Sequence, residues 1–339
     1  MKKSPKKIKF SFVLPVYNGE ITIEETINSI LVNCEADCEI VIVDNCSIDR
    51  TQEIVDGLRL NNSSIKYYKN ESNIGFDKNC HTGIVHANGD YCWFIGDDDL
   101  LTPNALEYVR GVIDKHGDFG VIFSNYSRVN RKSNSVIKEK DCDILSDKIF
   151  EPGVGHVAYV KEYPNFVSTL IFQRKSWLSS RYEKYFGSYF QHYGVYLDVI
   201  RRDRSYCIEK PLVINKARIS HTPKESDFWS KSVLILFSLI KIIDTHEVFE
   251  ANNKIKHEII NGILKKYLIS KLKIAKVNGG QFSFSDFLLA AKDLYSYPIF
   301  WMLAPVFLLP YSVIRPFIYM RNYLRPESVT TKSHPPVFY

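Results

Sequence analysis

The strongest constraint on the fold is an alternation of apolar runs with segments of helical periodicity in about the first 125 residues. Residues 10–17 and 39–43 are apolar enough to form buried parallel strands. Residues 20–33 and 49–60 carry apolar side chains at helical spacing. The same patterns predict strands at 65–69, 91–95 and 120–124, and helices at 76–87 and after residue 99. This order predicts an α/β fold with a doubly wound, mostly parallel sheet flanked by helices.

Polar clusters follow three of the predicted strands. They are Tyr17-Asn18, Asp44-Asn45 and Asp97-Asp98-Asp99. In open α/β sheets ligands bind beyond the carboxyl ends of the strands. The sequence therefore predicts that these clusters meet at one ligand-binding edge.

The aspartate triplet suggests a cation site. Three adjacent carboxylates repel one another unless a positive partner balances them. Oxygen ligands at a turn suit Mg²⁺ or Mn²⁺, and a diphosphate would supply the remaining ligands. The alternative is a solvated acidic loop that caps the helix starting near Thr102.

Composition narrows the function classes. The 339 residues are 45% hydrophobic, enough for one large domain with or without an appendage. A net charge of +6 is too small for a dedicated nucleic-acid binder, so no nucleic-acid partner is expected. The seven cysteines form no CxxC pair, so we expect neither a zinc site nor a disulfide framework, and a reduced, cytosolic location. No apolar segment precedes Phe10, so no secretory signal is expected.

The second half is organised differently. Residues 130–165 are polar and predict a long loop, 166–172 and 206–215 predict strands, and helical periodicity runs from Phe228 to about residue 277. Residues 294–314 carry no charge but include three prolines. They fit an in-plane or re-entrant membrane anchor, ordinary core or interface packing, or a membrane span. Lysines between 254 and 276 fit either a solvated helix face or attraction to anionic lipids.

Four motifs carry a family resemblance: VLPVYNGEITIEETINSIL, EIVIVDNCSIDRT, NIGFDKN and HANGDYCWFIGDDDLLTP. In this order and spacing the chain resembles a family 2 glycosyltransferase of the GT-A fold. The likeness is close over residues 8–125, looser over 166–226, and absent from 228–339. It implies a catalytic domain at 1–226, with a nucleotide-sugar half at about 8–125 and an acceptor half at about 126–226. Outside the resemblance, the periodicity and the uncharged stretch predict that residues 227–339 form a helical, membrane-associated region.

The resemblance also implies roles for individual residues. The nucleoside part of the donor would be bound by Pro15, Tyr17, Asp44 and Asp97. The Mg²⁺ or Mn²⁺ ligands would be Asp98 and Asp99. Arg218 and His221 would lie in a late loop over the diphosphate, where a plain surface loop is the alternative.

The catalytic base departs from the family pattern. The family places Glu-Asp before an amphipathic helix, but residues 187–193 contain no such pair. His192 lies nearest that position, and a neutral imidazole can accept a proton near pH 7. The alternatives are a structural histidine among aromatic residues, or a base at Asp198 or Glu183. Histidine-bearing variants resemble O-antigen sugar transferases of the abequosyltransferase type.

The function implied is inverting transfer of a sugar from a nucleoside diphosphate sugar to an acceptor hydroxyl. The expected acceptor is a lipid-linked saccharide in O-antigen or capsule synthesis. The protein itself is expected to lie at the cytoplasmic face of the membrane. Because the usual base is missing, a catalytically inactive sugar-nucleotide-binding or scaffolding subunit is the alternative. A nucleotidyltransferase or Rossmann dehydrogenase is disfavoured, since no basic glycine-rich loop or GxGxxG follows the first strand.

Overall fold

A computed structural model of the chain describes residues 9–34, 37–217, 226–268, 287–288, 291–292 and 294–309. The chain divides into two compact units, Met1–Arg218 and Ile219–Tyr339. The predicted diphosphate-loop residues Arg218 and His221 lie outside the described residues, as do 310–314 of the uncharged stretch.

The first unit begins with alternating strands and helices. In chain order they are β1 (Phe10–Val16), α1 (Ile23–Leu31), β2 (Cys38–Asp44), α2 (Thr51–Arg59), β3 (Ile65–Lys69), α3 (Phe76–His86), β4 (Tyr91–Phe94), β5 (Asp99–Leu101) and α4 (Ala105–His116). Every residue of β1 is buried, as its apolar run predicts. Helix α1 buries Ile23, Ile27 and Ile30, which share one face.

The unit continues with β6 (Val121–Asn130), β7 (Val136–Lys138), β8 (Lys148–Phe150), α5 (Gly155–Val160), β9 (Leu170–Gln173), α6 (Arg174–Leu178), α7 (Gln191–Arg202) and β10 (Ser205–Ala217). Short 3₁₀ turns cover Tyr163–Asn165, Val167–Thr169 and Tyr182–Tyr185. The predicted loop at 130–165 therefore contains β7, β8 and α5. The two strands have three residues each, too few to leave a periodic signal in the sequence; β7 forms a hairpin with β6, and β8 pairs with the distant β10.

The ten described strands form one sheet in the order β3-β2-β1-β4-β9-β6-β10-β5, with β7 on β6 and β8 on β10. Strands β3, β2, β1 and β4 are mutually parallel, and β9 runs opposite to both β4 and β6. The predicted α/β class is confirmed, with a sheet that is mixed beyond its parallel first half. We call the edge where β1, β2 and β4 end and β9 begins the carboxyl edge.

The second unit is helical in its described part, as predicted. It contains α8 (Ser226–Thr245), α9 (Asn253–Ile263), a π-helical turn at Leu264–Leu268 and α10 (Pro298–Leu308). The Tyr297 hydroxyl donates to Asp244 Oδ1 at 2.9 Å. In the part of the chain that the structure describes, no helix is both long and apolar enough to cross a bilayer.

One cysteine pair differs from the expectation of reduced thiols. Cys34 and Cys38 form a disulfide across the turn between α1 and β2, with their Cα atoms 5.7 Å apart. The other five cysteines are free thiols, and four of these are buried. The pair has the short separation of four residues, and its sequence spacing matches no disulfide signature.

Candidate active site

The loops after β1 and β2 are tied to each other at the carboxyl edge. The Asn18 amide donates to Ser47 Oγ at 2.8 Å, and the Ile48 amide donates to Asn18 Oδ1 at 3.0 Å. The Gly19 amide donates to Thr51 Oγ1 at 2.8 Å. The two predicted binding loops are thus held together by their own hydrogen bonds.

Asp44 is fully buried at the end of β2 and organises this structure. Its Oδ1 accepts the Ser47 amide at 2.7 Å, and its Oδ2 accepts the Tyr67 hydroxyl at 2.5 Å. Burial, and next Asp44, raise the pKa of Tyr67, so the phenol remains the donor. Pro15 and Tyr17 lie at the end of neighbouring β1, with Pro15 buried and Tyr17 exposed. The predicted nucleoside residues therefore lie on adjacent strands.

The aspartate triplet follows β4 and also lies at the carboxyl edge. The Thr26 hydroxyl donates to the Asp97 carbonyl at 2.9 Å, so α1 holds this turn. A Cβ added to Gly19 would lie 2.8 Å from Asp97 Oδ2, which brings the Asp97 carboxylate against the loop after β1. The Arg131 guanidinium donates to the Asp98 carbonyl at 2.7 Å. The structure thus brings Asp44, Asp97 and Asp98 to one edge.

Asp99 has a different environment. The Ser168 hydroxyl donates to its Oδ2 at 2.6 Å, and the Asn215 amide donates to its Oδ1 at 2.9 Å. Burial raises the pKa of Asp99 well above its usual range, and the neighbouring Asp98 adds to the effect. Asp99 therefore joins β5 to β10 and to the 3₁₀ turn Val167–Thr169, and both its oxygens already bind protein groups.

The carboxylates at the carboxyl edge could supply part of the ligand shell of a divalent cation. Among the described residues, no three His, Cys, Asp or Glu side chains are grouped to hold a metal by themselves. Mg²⁺ commonly takes only one or two protein carboxylates and completes its shell with water and substrate phosphates. The buried carboxylates of Asp97 and Asp98 fit that smaller role, whereas Asp99 is already held by Ser168 and Asn215.

His192 lies in the first turn of α7 and is almost fully buried. Its Nε2 lies 2.8 Å from the Asn165 carbonyl, which only accepts, so Nε2 carries the proton. Nδ1 has no hydrogen-bond partner in the described chain. Phe76 and Phe190 pack near the ring, with centroids 6.2 and 6.0 Å away. Burial lowers the pKa of His192 to about 4, only partly offset by the Asn165 hydrogen bond, so the ring is neutral near pH 7.

The other base candidates are placed differently. The Asp198 carboxylate accepts from the Arg181 amide and Nε, both at 3.0 Å, and from Nη2 at 2.5 Å. It is thus held in an ion pair two turns along α7 from His192. Glu183 is exposed in the turn at Tyr182–Tyr185.

Sequence reasoning missed Ser168, Asn215 and Arg131, which hold the triplet from distant parts of the chain. No local motif marks them. A separate cavity of about 460 Å³ is lined by α4 and by Asp147 and Tyr206. None of the predicted site residues lines this cavity.

The part of the chain that forms the carboxyl edge is similar to a known sequence family. Residues 11–166 match the sequence model of glycosyl transferase family 2. This stretch contains the loops after β1 and β2, the aspartate triplet and Asn165. The resemblance to a family 2 glycosyltransferase read from the motifs is therefore confirmed over this stretch of the chain.

Individual relatives are more distant. The chain is 27% identical over 266 residues to abequosyltransferase RfbV of Salmonella typhimurium, covering 66% of this chain and 76% of that protein. It is 33% identical over 147 residues to the GalNAc(5)-diNAcBac-PP-undecaprenol β-1,3-glucosyltransferase of Campylobacter jejuni, covering 39% of this chain and 47% of that one.

The fold is similar to that of a solved glycosyltransferase. The structure of residues 1–349 of TarS from S. aureus in complex with UDP-GlcNAc aligns with a TM-score of 0.60 and 19% identity. The alignment covers 93% of this chain and 88% of that one. The predicted GT-A fold is thereby confirmed.

Proposed function

We propose that this glycosyltransferase moves a sugar, with inversion, from a nucleoside diphosphate sugar to a hydroxyl of a lipid-linked saccharide. The single observation that carries the proposal is the convergence of Gly19, Asp44 and Asp97 at the carboxyl edge. Three strand ends meet there, which is where α/β sheets bind ligands. The UDP-GlcNAc complex of the similar TarS fold supports a sugar-nucleotide donor.

The donor side is assigned to Pro15, Tyr17, Asp44 and Asp97, with Asp98 as the principal carboxylate for Mg²⁺ or Mn²⁺. When bound, the cation would neutralise charge on the departing diphosphate. Asp99 is reassigned from metal ligand to positioning residue, because Ser168 and Asn215 hold both its oxygens.

The acceptor side is assigned to His192 as general base. Its ring is neutral and Nε2 carries the proton, so Nδ1 has the lone pair that can take the acceptor proton. Asp198 is the weaker candidate, because Arg181 holds its carboxylate. Direct displacement by the deprotonating hydroxyl inverts the anomeric centre and needs no covalent enzyme intermediate.

The donor assignment is tested by thermal shift with UDP, GDP, CDP and dTDP sugars in the presence of Mn²⁺. At least one donor should raise the Tm, and release of its nucleoside diphosphate should require Asp98. Asp143→Asn, an exposed aspartate outside the carboxyl edge, serves as the matched control. Donor binding without turnover under every condition would favour the inactive sugar-nucleotide-binding subunit instead.

The membrane assignment rests on the second unit. Helix α10 is about 16 Å long, too short for the roughly 30 Å core of a bilayer. It nevertheless exposes Trp301 and Met302, and Leu308 is also exposed. Such an apolar surface fits a helix lying in the membrane interface. The undecaprenol-linked substrate in the name of the Campylobacter relative supports a lipid-linked acceptor.

Sedimentation with phosphatidylglycerol vesicles tests this assignment. The full chain should pellet with the vesicles, and truncation after residue 285 should release it. Replacing Trp301 and Met302 by serine should weaken binding, whereas replacing Leu60 of the first unit, which is even more exposed, should not. A full chain that stays in the supernatant would refute the assignment.

A further inference from the structure

One face of α3 holds the chain segment that leads into α7. His81 stacks on Tyr182 with ring centroids 4.0 Å apart, and the Lys78 ammonium lies 5.8 Å from the Phe186 ring centre. Asp77 completes this row of contacts. Residues 182–190, which we call the α7 entry segment, are thus attached to α3 at successive points.

Asp77 makes the most specific of these contacts. It is buried, its Oδ2 accepts the Tyr189 amide at 2.9 Å, and its Oδ1 accepts the Gln191 amide at 3.2 Å. The carboxylate therefore spans the start of α7 on either side of Phe190. His192 follows directly, so one side chain fixes both the proposed base and the residues before it.

Tyr189 has a backbone conformation that a tyrosine rarely adopts. Its φ is 64°, in the left-handed region, where any side chain is disfavoured relative to glycine. Gly187, two residues earlier, has φ of 81° in the same segment without that cost. A glycine at position 189 would suit this backbone better. The tyrosine side chain is therefore not explained by the fold, which points to a role in binding or catalysis.

Tyr189 is the most exposed aromatic residue of the α7 entry segment. Tyr182 and Phe186 pack against α3, and Tyr185 and Phe190 are buried, whereas Tyr189 is 41% exposed. A rigid aromatic ring with a polar hydroxyl suits a ligand that has one apolar face and many hydroxyls. A pyranose ring has both features.

We infer that Tyr189 is a saccharide-binding platform, on which the acceptor sugar stacks before its hydroxyl meets His192. Asp77 acts as the positioning residue that holds the ring at the mouth of the site. The inference rests on the proposed function for the identity of the base and the direction of transfer. It adds a specific acceptor contact and its chemical class, a neutral pyranose ring.

The test uses the full chain and saturation-transfer NMR with methyl glycosides of glucose, galactose, mannose, N-acetylglucosamine and rhamnose. The wild type should transfer saturation to ring C–H protons of at least one glycoside. Tyr189→Phe should retain this binding, and Tyr189→Ala should weaken it about tenfold. Tyr189→Gly should weaken it equally, although it relieves the backbone. Tyr295→Ala, at an exposed tyrosine of the second unit, is the matched control and should bind normally.

Two results would overturn the inference: no glycoside bound by the wild type, or unchanged binding by Tyr189→Ala. Loss of the donor-induced thermal shift in Tyr189→Ala would also overturn it, since Tyr189 would then belong to the donor site. Failure of the proposed function is distinct. It would appear as Tyr189-dependent glycoside binding with no turnover of any nucleoside diphosphate sugar.

Discussion

Two buried titratable groups meet the start of α7: His192 within the helix and Asp77 from α3. They should affect the pH–rate profile in different ways. His192→Ala should lower kcat by about 10²–10⁴, the usual contribution of a general base. Donor binding should be unchanged, because the contacts that the described chain shows for His192 are with Asn165, Phe76 and Phe190, which are not among the proposed donor residues. Its imidazole has a pKa of about 4, so its titration lies below the usual assay range.

Asp77 should instead determine the acidic limb. Burial raises the pKa of Asp77 to about 6, although its backbone hydrogen bonds act in the opposite direction. Above that pH the carboxylate accepts both amides strongly, and below it the protonated group holds α7 less firmly. The wild-type rate should therefore fall about tenfold per pH unit below pH 6. The His192→Ala variant should be slower at every pH but should show the same fall in rate below pH 6. The Asp77→Asn variant should show no such fall. Cys80, on the next turn of α3, is a buried thiol whose raised pKa keeps it neutral there.

Stability should change with pH in the opposite direction to activity. Because the folded pKa of Asp77 lies above its ordinary 3.8, its favourable contribution to folding is complete below pH 3.8 and lost as pH rises through 6. That difference corresponds to about 3 kcal/mol. The unfolding free energy of the wild type, relative to Asp77→Asn, should therefore rise between pH 7 and 5 while its rate falls.

Rates would be measured from nucleoside diphosphate release, and stability from urea unfolding at each pH. Asp56→Asn, at an exposed aspartate paired with Arg59, should leave both profiles unchanged. An acidic limb that survives in Asp77→Asn would refute the role of Asp77. Near-normal turnover by His192→Ala would show that the base lies elsewhere, with Asp198 the next candidate.

Three further predictions concern the donor side and the disulfide. Asp98→Asn should weaken Mn²⁺-dependent donor binding and lower turnover by about 10² or more, whereas full activity in excess chelator would contradict a metal role. Gly19→Ala should weaken donor binding, because the added Cβ would lie 2.6 Å from Val16 Cγ2; Gly57→Ala, which meets nothing within 4 Å, should bind normally in the same thermal shift. Cys34→Ser should lower the unfolding free energy by about 2 kcal/mol, the effect of closing so short a loop; identical wild-type unfolding curves with and without reductant would contradict the disulfide.

The strand–helix order was predictable from the sequence because each element of the first half has its own periodicity. The strand at Asp99–Leu101 was missed because it exists only through pairing with residues 213–215. The strand predicted at 166–172 begins later, at Leu170, because 3₁₀ turns precede it. Local patterns identify elements, but they cannot identify short pairings between segments more than a hundred residues apart.

The same limit applies to the candidate site. Asp44 and the aspartate triplet could be found because each lies at or just beyond the end of an apolar strand. Asp77 lies in a recognisable motif, yet its bonds to Tyr189 and Gln191 join residues 112 and 114 positions apart. Contacts of that range depend on the folded chain. The sequence therefore offered candidate residues for the chemistry and left open which residues position them.

The hydrogen bonds between the loops after β1 and β2 have a consequence for ligand affinity. Because Asn18, Gly19 and Ser47 are already joined, donor binding need not order these loops and loses little conformational entropy. The backbone amides of Asn18, Gly19 and Ser47 donate to protein side chains and should therefore exchange slowly with solvent deuterium. A preorganised pocket of this kind lowers the conformational entropy that the protein loses when the donor binds. Any conformational change during the reaction is then expected on the acceptor side.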